Sequence, residues 1–482
     1  MINLLVRNTS INLITETLTG VFGMAVFMVA GRVLGPEKFG IYGFAMLVGM
    51  VWSQIPAFGF DKLVARDIGK DSEKAPLYFS HIFSAKLLLS IPAMLFVLFM
   101  VWIQDYAREK ELVIVIVNFT MIAFTFVTFI SAFFRALQRA EYEAFLRILL
   151  RVGNLILGIS TLLAGFGLLG FTLSQGFMGC LAVGIGLIYL KKNFIPLRLS
   201  WNFAEMKAYL KRSLPFILLS LLVMFYVTVG GIIVNFYKGD YDTGIYTAAG
   251  KLIQFLMFIP TAMTAAFLPA MSKLNSDPNN KALFVRIYGY VFKYLFIIGI
   301  AIASGFTVLG EEISTFIYGG EFTESGKPLM IMGWAMVFSF LNFVMVNTII
   351  AVGKEKLTLY VSAGGVVLST AINLLIVPLY SYNGAAASTL FTELAILSAH
   401  FLIIRPYLGA RFNFIKLIHK PFWIAIIMGI VLMVAINYVH LLVCVFGGAA
   451  LFVSLLVVFK VIGFDEIELI KKLIATRGAA QE

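Results

Sequence analysis

Long apolar stretches fill this chain, and short polar segments separate them. Crossing a bilayer takes about 20 consecutive apolar residues, because the hydrocarbon core is about 30 Å thick and an α-helix rises about 1.5 Å per residue. The pattern predicts fourteen membrane-spanning helices, at 11–34, 38–60, 80–103, 112–137, 143–166, 168–190, 214–237, 243–271, 286–310, 327–350, 357–379, 384–405, 421–440 and 441–460.

Composition strengthens this prediction. Of 482 residues, 61% are hydrophobic and 13% are charged, whereas a soluble domain is about half apolar and a quarter charged. We therefore expect an all-α integral membrane protein. The two cysteines, Cys180 and Cys444, stand alone in apolar runs, and the sequence indicates neither a disulfide framework nor a metal site.

Lysine and arginine are distributed unequally between the two sets of connecting segments. With these spans, 27 of the 37 basic residues fall on the same side as the N-terminus, 6 fall on the opposite side and 4 lie within spans. Because basic segments are retained in the cytoplasm, this bias predicts that both termini are cytoplasmic. The net charge of +12 indicates topology and contact with anionic membrane lipids, and it is no evidence of nucleic-acid binding.

A motif in the first connection recurs 204 positions later. Residues 31–42 read GRVLGPEKFGIY, and residues 235–246 read NFYKGDYDTGIY. The register holds without a gap, and seven of the 23 positions from 35 to 57 are identical in the second copy. We interpret this match as an internal duplication.

The offset covers six predicted helices, an even number, so both copies have the same orientation in the membrane. This predicts two parallel six-helix lobes related by an axis along the membrane normal. The expected organisation is an N-lobe at 1–190, a cytoplasmic linker at 191–213, a C-lobe at 214–405, two extra spans at 406–460 and a cytoplasmic tail at 461–482. Apolar residues in the linker and the tail alternate with charged ones, which is typical of interfacial helices.

Glycine and proline mark local features of the repeat. Gly35, followed by Pro36 and Glu37, indicates a helix end, a tight turn and a new helix start. Pro56 and Pro260 lie inside their spans, where each removes a backbone hydrogen bond and bends the helix. Paired bent helices are typical of transporters, although such kinks also occur in inert bundles, and we predict hinges at both prolines.

Ionisable side chains inside a bilayer cost about 2.5–3.5 kcal/mol on insertion scales, so each needs a partner or a water-filled cavity. The basic residues within the spans are Lys86, Arg151, Lys251 and Lys293, together with Arg147, which is counted above with the cytoplasmic segment 135–147 and lies about one turn inside the fifth span. Arg147, Arg151 and Asn154 share one helix face. Lys86, Arg147 and Lys293 lie near the cytoplasmic end, and the alternative for them is to extend their charges to the interface. For the deeper Arg151 and Lys251 we expect a cavity-lining role.

Glu16 in the first span and Glu393 in the twelfth are the acidic counterparts. A carboxylate in a low-dielectric cavity can take up a proton or Na⁺, so we expect an ion-coupling role for either one; the alternative is an ion partner for an interior Lys or Arg. Scattered amides either bind polar groups in a wet cavity or join helices. The four histidines are far apart in sequence, and no motif for hydrolysis, metal-dependent glycosyl transfer or ATP binding occurs.

Three stretches carry a resemblance to a known family: RVLGPEKFGIYGFA at 32–45, FGFDKLVARDIGK at 58–70 and SLPF at 213–216. With the helix count and spacing, the chain resembles the polysaccharide transporter family of the multidrug/oligosaccharidyl-lipid/polysaccharide exporter superfamily, which includes the O-antigen flippases. The resemblance implies two helical bundles that move a polyprenyl-pyrophosphate-linked oligosaccharide to the outer leaflet by alternating access, with no catalytic residue and no cofactor. Drug exporters of this superfamily usually have an Asp in the first span, where this chain offers Glu16.

A pyrophosphate substrate suits a basic interior, because desolvating its charges takes paired cations, preferably Arg. We assign substrate binding to Arg151, Lys251, Arg147, Lys86 and Asn154. The expected partners are a lipid-linked oligosaccharide, membrane lipids and glycan polymerases or glycosyltransferases.

The alternative functions are a drug or lipid II exporter of the same fold, and a membrane-embedded glycan polymerase or ligase. The enzyme would need a large extracytoplasmic loop, and the longest such segment, 311–326, has about 16 residues.

Overall fold

The computed structural model describes the backbone of residues 2–275, 281–408 and 414–461. Side chains are described for Thr15 and from Leu18 onward, except at 264–266, 268–270, 272–273 and 275 within the same ranges. Helices make up nearly all of this described part, and it contains no β-strand. The prediction of an all-α protein is therefore confirmed.

The described ranges contain fourteen α-helices of very different lengths. They are α1 Ile2–Trp52, α2 Gln54–Ala57, α3 Phe60–Ile68, α4 Ala75–Gln104, α5 Arg108–Ala136, α6 Ala140–Leu163, α7 Gly167–Asn193, α8 Phe203–Leu256, α9 Phe258–Asn275, α10 Lys281–Tyr318, α11 Gly326–Ala351, α12 Glu355–Leu408, α13 Phe414–Ala435 and α14 Leu441–Val458. Two short 3₁₀ helices cover Ser72–Lys74 and Gly320–Ser325.

Eleven helical segments of the described part are long and apolar enough to cross a membrane. Three of them, Leu18–Ala57, Phe203–Met263 and Glu355–Leu408, have 40, 61 and 54 residues, and about 20 residues suffice for one crossing. Non-helical backbone angles interrupt these three at Gly35, Gly239 and Ser381. If each of these three segments crosses the membrane twice, the number of crossings rises from eleven to the expected fourteen. That number stays a prediction.

The break in α1 lies where the sequence indicates a turn. Gly35 has φ 71° and ψ 171°, a conformation that glycine adopts without the strain a side chain would add. Pro36 then starts the next helical segment, where its missing N–H is not needed. Gly239, 204 residues later, has φ 82° and ψ −166°. The predicted turn is confirmed, and the matching break supports the duplication.

The two copies of the motif also touch each other through their glycines. A Cβ added at Gly40 would lie 1.8 Å from the backbone oxygen of Asp240, and one added at Gly244 would lie 1.9 Å from that of Pro36. These contacts are reciprocal, because Pro36 and Asp240 are equivalent positions at the offset of 204. Only residues without a side chain allow the two backbones to approach this closely.

Each proline of the repeat lies just after a second interruption. α1 ends at Trp52 before the short α2, and α8 ends at Leu256 before α9. The interrupting residues, Ser53 and Met257, are equivalent at the same offset, and each precedes its proline by three positions. The predicted bends at Pro56 and Pro260 therefore coincide with helix interruptions. Their role as hinges stays a prediction.

Contacts divide the chain into two compact units, unit 1 from Met1 to Thr247 and unit 2 from Ala248 to Glu482. The sequence instead predicts the boundary between the two lobes at the linker 191–213. This organisation into lobes stays a prediction. In the structure α8 begins at Phe203, within that linker, and continues past residue 214 with Pro215 inside it. Met206 and Tyr209 are buried in the core of unit 1, so this part of the linker packs against protein.

Ion pairs fix the start of α8 within unit 1. Arg212 of α8 and Arg66 of α3 both pair with Asp67, and Tyr78 of α4 donates a hydrogen bond to the same carboxylate at 2.9 Å. Partial burial opposes ionisation of Asp67, but the hydrogen bonds from Arg66 and Tyr78 and the charge of Arg212 outweigh it and hold the pKa of Asp67 below its usual value.

In unit 2, the core lies mainly between α10 and α11, with contributions from α12, α13 and α14. α10 continues to Tyr318, and the 3₁₀ helix Gly320–Ser325 follows it. The predicted outward loop 311–326 is thus wrong, because the helix ends only at Gly319, where φ is 103°. Less irregular chain is present at this end than the sequence indicates.

Candidate functional site

Arg151 is an interior basic residue near the middle of a spanning helix. It is close to the midpoint of the 24-residue α6, which at about 1.5 Å per residue is roughly 36 Å long. Its side chain is exposed, and a Cβ added at Gly23 of α1 would lie 3.5 Å from one of its terminal nitrogens. The guanidinium therefore lies against α1 at Gly23, at van der Waals distance from the place a Cβ would take.

Two further helices bring polar groups to this region. Tyr42, from the first motif copy in α1, donates its hydroxyl hydrogen to Oε1 of Gln175 in α7 at 2.8 Å. Its ring is buried and packs edge-on against Phe171, with centroids 5.1 Å apart. Tyr42 lies close enough to Arg151 for the charge of the guanidinium to act on the phenol. Helices α1, α6 and α7 thus hold one phenol, one amide and one guanidinium in the same part of unit 1.

Asn154 lies three positions after Arg151 on the same face of α6. Its side chain is 8% exposed, and its Oδ1 is buried without a hydrogen-bond partner among the described residues. Leaving such an acceptor unsatisfied costs about 1–3 kcal/mol, so this position favours a water molecule or a ligand hydroxyl. We refer to Tyr42, Arg151, Asn154 and Gln175 as the unit 1 polar cluster.

Arg147, the other predicted arginine of α6, has an acidic partner. Its Nη2 lies 2.5 Å from Oε1 of Glu143, and Arg135 of α5 pairs with the same carboxylate at 3.0 Å. The Glu143 side chain is 1% exposed, whereas that of Arg147 is 35% exposed. This shared pair partly neutralises Arg147, so Arg147 offers less positive charge to an anion than an unshared arginine would.

Lys86 is buried in the core of unit 1, with 1% exposed. Its Nζ donates to the backbone oxygen of Pro56 at 2.9 Å and to Oγ1 of Thr125 at 3.2 Å. The rings of Phe126 and Phe129 lie 5.0 and 5.6 Å from the ammonium. A cation at the carboxyl end of the short α2 stabilises the helix break there. This environment favours a structural role for Lys86 over the predicted role in substrate binding.

Lys251 belongs to unit 2, whereas Arg151 belongs to unit 1. Lys251 is half-buried, and its Nζ donates to Oε1 of Gln254 at 3.3 Å. Glu16 is part of α1, and its side chain lies outside the described residues. Binding by Lys251 and coupling by Glu16 stay predictions.

Glu393 is buried in unit 2 and hydrogen-bonded. Oε2 accepts from Nδ2 of Asn342 at 2.7 Å, and Oδ1 of Asn342 lies 3.2 Å from Nδ1 of His400. The four histidines are far apart in sequence, so His400 is not among the predicted site residues. Its position seven residues after Glu393 on one helix face is the signal that links the two. Tyr42 is likewise missed as a polar group, although it lies within the repeated motif.

The described part of the chain contains no group of three or more His, Cys, Asp or Glu residues arranged to hold a metal ion. The polar groups that the structure brings together are instead an arginine, amides and a phenol, which donate to or accept from a polar ligand without a metal. Such a set of groups is chemically suited to an anionic or hydroxyl-rich ligand.

The fold is shared with solved membrane transporters. The lipid II flippase MurJ, in an inward closed conformation, superposes with a TM-score of 0.75 at 12% identity, covering 92% of this chain and 98% of that chain. An inward-facing multidrug resistance MATE family transporter of the MOP superfamily gives 0.64 at 15% identity, covering 81% and 95%. The chain is therefore a multi-pass helical membrane protein with the MurJ/MATE fold.

Sequence comparison identifies the family. The family model described as polysaccharide biosynthesis protein matches residues 5–275, more than half of the chain, and the chain belongs to this family. It is 24% identical over 374 residues to a putative O-antigen transporter of Shigella dysenteriae, covering 76% of this chain and 91% of that protein. It is 22% identical over 450 residues to a probable low-salt glycan biosynthesis flippase of Haloferax volcanii, covering 89% and 90%. The resemblance carried by the three sequence motifs is confirmed.

Proposed function

We propose that this chain is a flippase that moves a polyprenyl-pyrophosphate-linked oligosaccharide across the cytoplasmic membrane for polysaccharide biosynthesis. Family membership, the names of the two relatives and the shared fold support the class of function. The observation that carries the assignment of a site is Arg151, the exposed mid-helix guanidinium of the unit 1 polar cluster.

The chemistry of the cluster fits such a substrate. A pyrophosphate carries at least two negative charges, and the planar fork of an arginine binds phosphate oxygens with two parallel hydrogen bonds. The buried Oδ1 of Asn154, which has no hydrogen-bond partner among the described residues, is an acceptor for a sugar hydroxyl that enters the cluster or for a water molecule that bridges to it. The prenyl chain remains in the lipid while sugar and phosphates cross by alternating access, so transport needs no covalent step and no catalytic residue.

Topology and partners complete the proposal. Both termini face the cytoplasm, in keeping with the distribution of basic residues. Enzymes that build the glycan on its lipid carrier and enzymes that polymerise it afterwards are the expected neighbours of a flippase in the membrane. The competing identity of a membrane-embedded polymerase or ligase loses support, because the segment 311–326 that would have to supply an outward catalytic loop is mainly helical.

Replacement of Arg151 tests the site. A charge-assisted contact is worth about 1.5–3 kcal/mol, so Arg151→Gln should weaken recognition of the pyrophosphate roughly tenfold to more than a hundredfold. Arg151→Lys keeps the charge but loses the fork, and its activity should lie between wild type and Gln. The measurement is flipping of a pyrophosphate-linked oligosaccharide in proteoliposomes, normalised to folded protein.

Arg108→Gln is the matched control, because the Arg108 side chain is 81% exposed and pairs with Glu111 at the start of α5. It should flip at the wild-type rate. Equal rates for wild type and Arg151→Gln would contradict the cationic site. Export of drugs with no flipping of the glycolipid would instead favour a drug exporter of the same fold.

A further inference from the structure

A buried chain of three polar side chains links α11 and α12 in unit 2. Asn342 donates from Nδ2 to Oε2 of Glu393 at 2.7 Å and to the backbone oxygen of Glu393 at 3.1 Å. His400 lies two helical turns beyond Glu393, with Nδ1 at 3.2 Å from Oδ1 of Asn342. Glu393, Asn342 and His400 are only 8%, 7% and 2% exposed.

These hydrogen bonds define which atom of His400 carries a proton. Because the amide nitrogen of Asn342 donates to Glu393, the amide oxygen faces His400 and must accept from it. Nδ1 of His400 therefore bears the hydrogen, and Nε2 is a bare acceptor. Nε2 is buried and has no hydrogen-bond partner among the described residues. The trio thus contains a carboxylate and an open imidazole nitrogen, both out of contact with bulk water.

We propose that Glu393, Asn342 and His400 form a proton-binding site that couples transport to a transmembrane proton gradient, an inference that rests on the proposed flippase function. A proton that reaches the trio binds the Glu393 carboxylate, giving a neutral acid, or Nε2 of His400, giving a cation beside the carboxylate. In either case the net charge of the trio changes from −1 to zero, and this makes it less costly to keep the trio in an apolar environment.

Protonation also changes the contact between the two helices. When the proton is on Oε2 of Glu393, the oxygen that accepts from Asn342, that oxygen becomes a hydroxyl donor, and Asn342 turns its amide oxygen toward it. The amide nitrogen then faces His400, whose Nδ1 has to accept rather than donate. The polarity of the link between α11 and α12 therefore depends on the proton, and this gives proton binding a direct effect on helix packing.

Other ionisable groups surround the trio on the neighbouring elements. On α11 the one ionisable side chain is Lys327, 15 residues before Asn342. On α12 the nearest are the exposed Arg405 and the half-buried Tyr407, five and seven residues after His400, and Tyr382, which donates to Glu324. The side chain of Lys273 in α9 lies outside the described residues. The remaining groups on α10 and α13 are Lys281, Arg286, Tyr288, Tyr290, Lys293, Tyr294, Glu311, Glu312, Tyr318, Lys416, His419 and Lys420. The side chain of Asn342 joins His400 to Glu393 through one hydrogen bond to each.

Transport under an imposed pH gradient tests the coupling. Flipping of a pyrophosphate-linked oligosaccharide is compared in proteoliposomes with and without the gradient, at equal amounts of folded protein. One coupled proton shifts the transport equilibrium about tenfold per pH unit. The wild type should show this shift, and Glu393→Gln and His400→Gln should show none. His419→Gln is the matched control, since His419 is an exposed histidine of α13, and it should keep the full shift.

A full shift in both Glu393→Gln and His400→Gln would overturn the proposal.

A second measurement needs no transport. Infrared difference spectra of the purified protein, between acidic and alkaline buffer, report the C=O stretch of a protonated carboxyl group. The band that Glu393→Gln removes should be displaced in His400→Gln and unchanged in His419→Gln. A wild type that shows neither this carboxyl band nor imidazolium ring bands that His400→Gln removes overturns the proton site even if flipping occurs. A wild type that shows the band but flips nothing contradicts the flippase function and supports the proton site.

Discussion

At the scale of single residues, the surroundings of each interior charge decide whether it is available to a substrate. Arg147 shares the buried Glu143 with Arg135, and Lys86 donates to Pro56 and Thr125. Arg151 is exposed next to a glycine. These three basic residues look alike in the sequence, but their environments differ. Only the environment of Arg151 suits an anion that must enter and leave.

The environment of Lys86 leads to a prediction about stability. Lys86→Met keeps the length and apolar stem but leaves the backbone oxygen of Pro56 without its buried donor, which should cost about 1.5–3 kcal/mol. We expect a lower melting temperature in detergent and unchanged flipping per folded molecule. Lys191→Met is the control, because Lys191 is exposed at the end of α7, and it should melt like the wild type. Normal stability with a large loss of flipping would restore Lys86 to the substrate site.

The sequence identifies the residue types of the site better than their contacts. Arg151 and Asn154 are found from their spacing on one helix face, because i, i+3 neighbours meet within a helix. Contacts between helices are not encoded in that spacing. The sequence gives no sign that Glu143 lies between two arginines or that Asn342 joins Glu393 to His400. Both arrangements depend on which helices pack together, and the spacing of residues along the sequence does not show this.

At the scale of helices, most element positions follow from hydrophobicity, because a bilayer fixes the minimum length of each crossing. The predicted spans 112–137 and 168–190 correspond to α5 and α7 with small differences at the ends. The errors fall where polar residues continue a helix beyond the apolar stretch. α10 continues through Glu311 and Glu312, and α8 starts eleven residues before the predicted span. Backbone hydrogen bonding continues there because no glycine with positive φ ends it.

The glycine contact between the two motif copies gives an element-scale prediction. Gly40→Ala and Gly244→Ala each place a Cβ within 2 Å of a backbone oxygen. The backbones must move apart, and overpacking of this kind typically costs about 1–3 kcal/mol, occasionally more. We expect both variants to show less folded protein and a lower melting temperature, measured by fluorescence-detected size-exclusion chromatography after heating.

Gly184→Ala is the matched control for the two glycines. Gly184 lies inside α7, and a Cβ there would meet nothing within 4 Å. Replacing a helical glycine by alanine stabilises a helix by roughly 0.5–1 kcal/mol when space allows, so this variant should equal or exceed the wild type in stability. If Gly40→Ala and Gly244→Ala matched it, the close approach of the two copies would not exist in the membrane.

At the scale of the whole molecule, the number of membrane crossings depends on breaks within the three longest helical segments. The segment Phe203–Met263 has 61 residues, which as one straight helix would be about 92 Å long, roughly three times the hydrocarbon thickness. The break at Gly239 allows the chain to turn back after a first crossing. The same reasoning applies to the breaks at Gly35 and Ser381, and together they favour fourteen crossings over eleven.

Reporter fusions test this by parity. If Phe203–Met263 crosses twice and α10 once, three crossings separate Lys207 from Glu321, and the two positions lie on opposite sides; with a single crossing of the first segment they lie on the same side. We expect fusions at Lys207 and after Gln481 to report the cytoplasm, and fusions at Glu109 and Glu321 to report the outside, in keeping with the basic residues that flank Lys207. Alkaline phosphatase and green fluorescent protein fusions give opposite signals on the two sides, so each position is measured twice. A shared side for Lys207 and Glu321 would refute the turn at Gly239, and with it the prediction that both copies of the repeat have the same orientation.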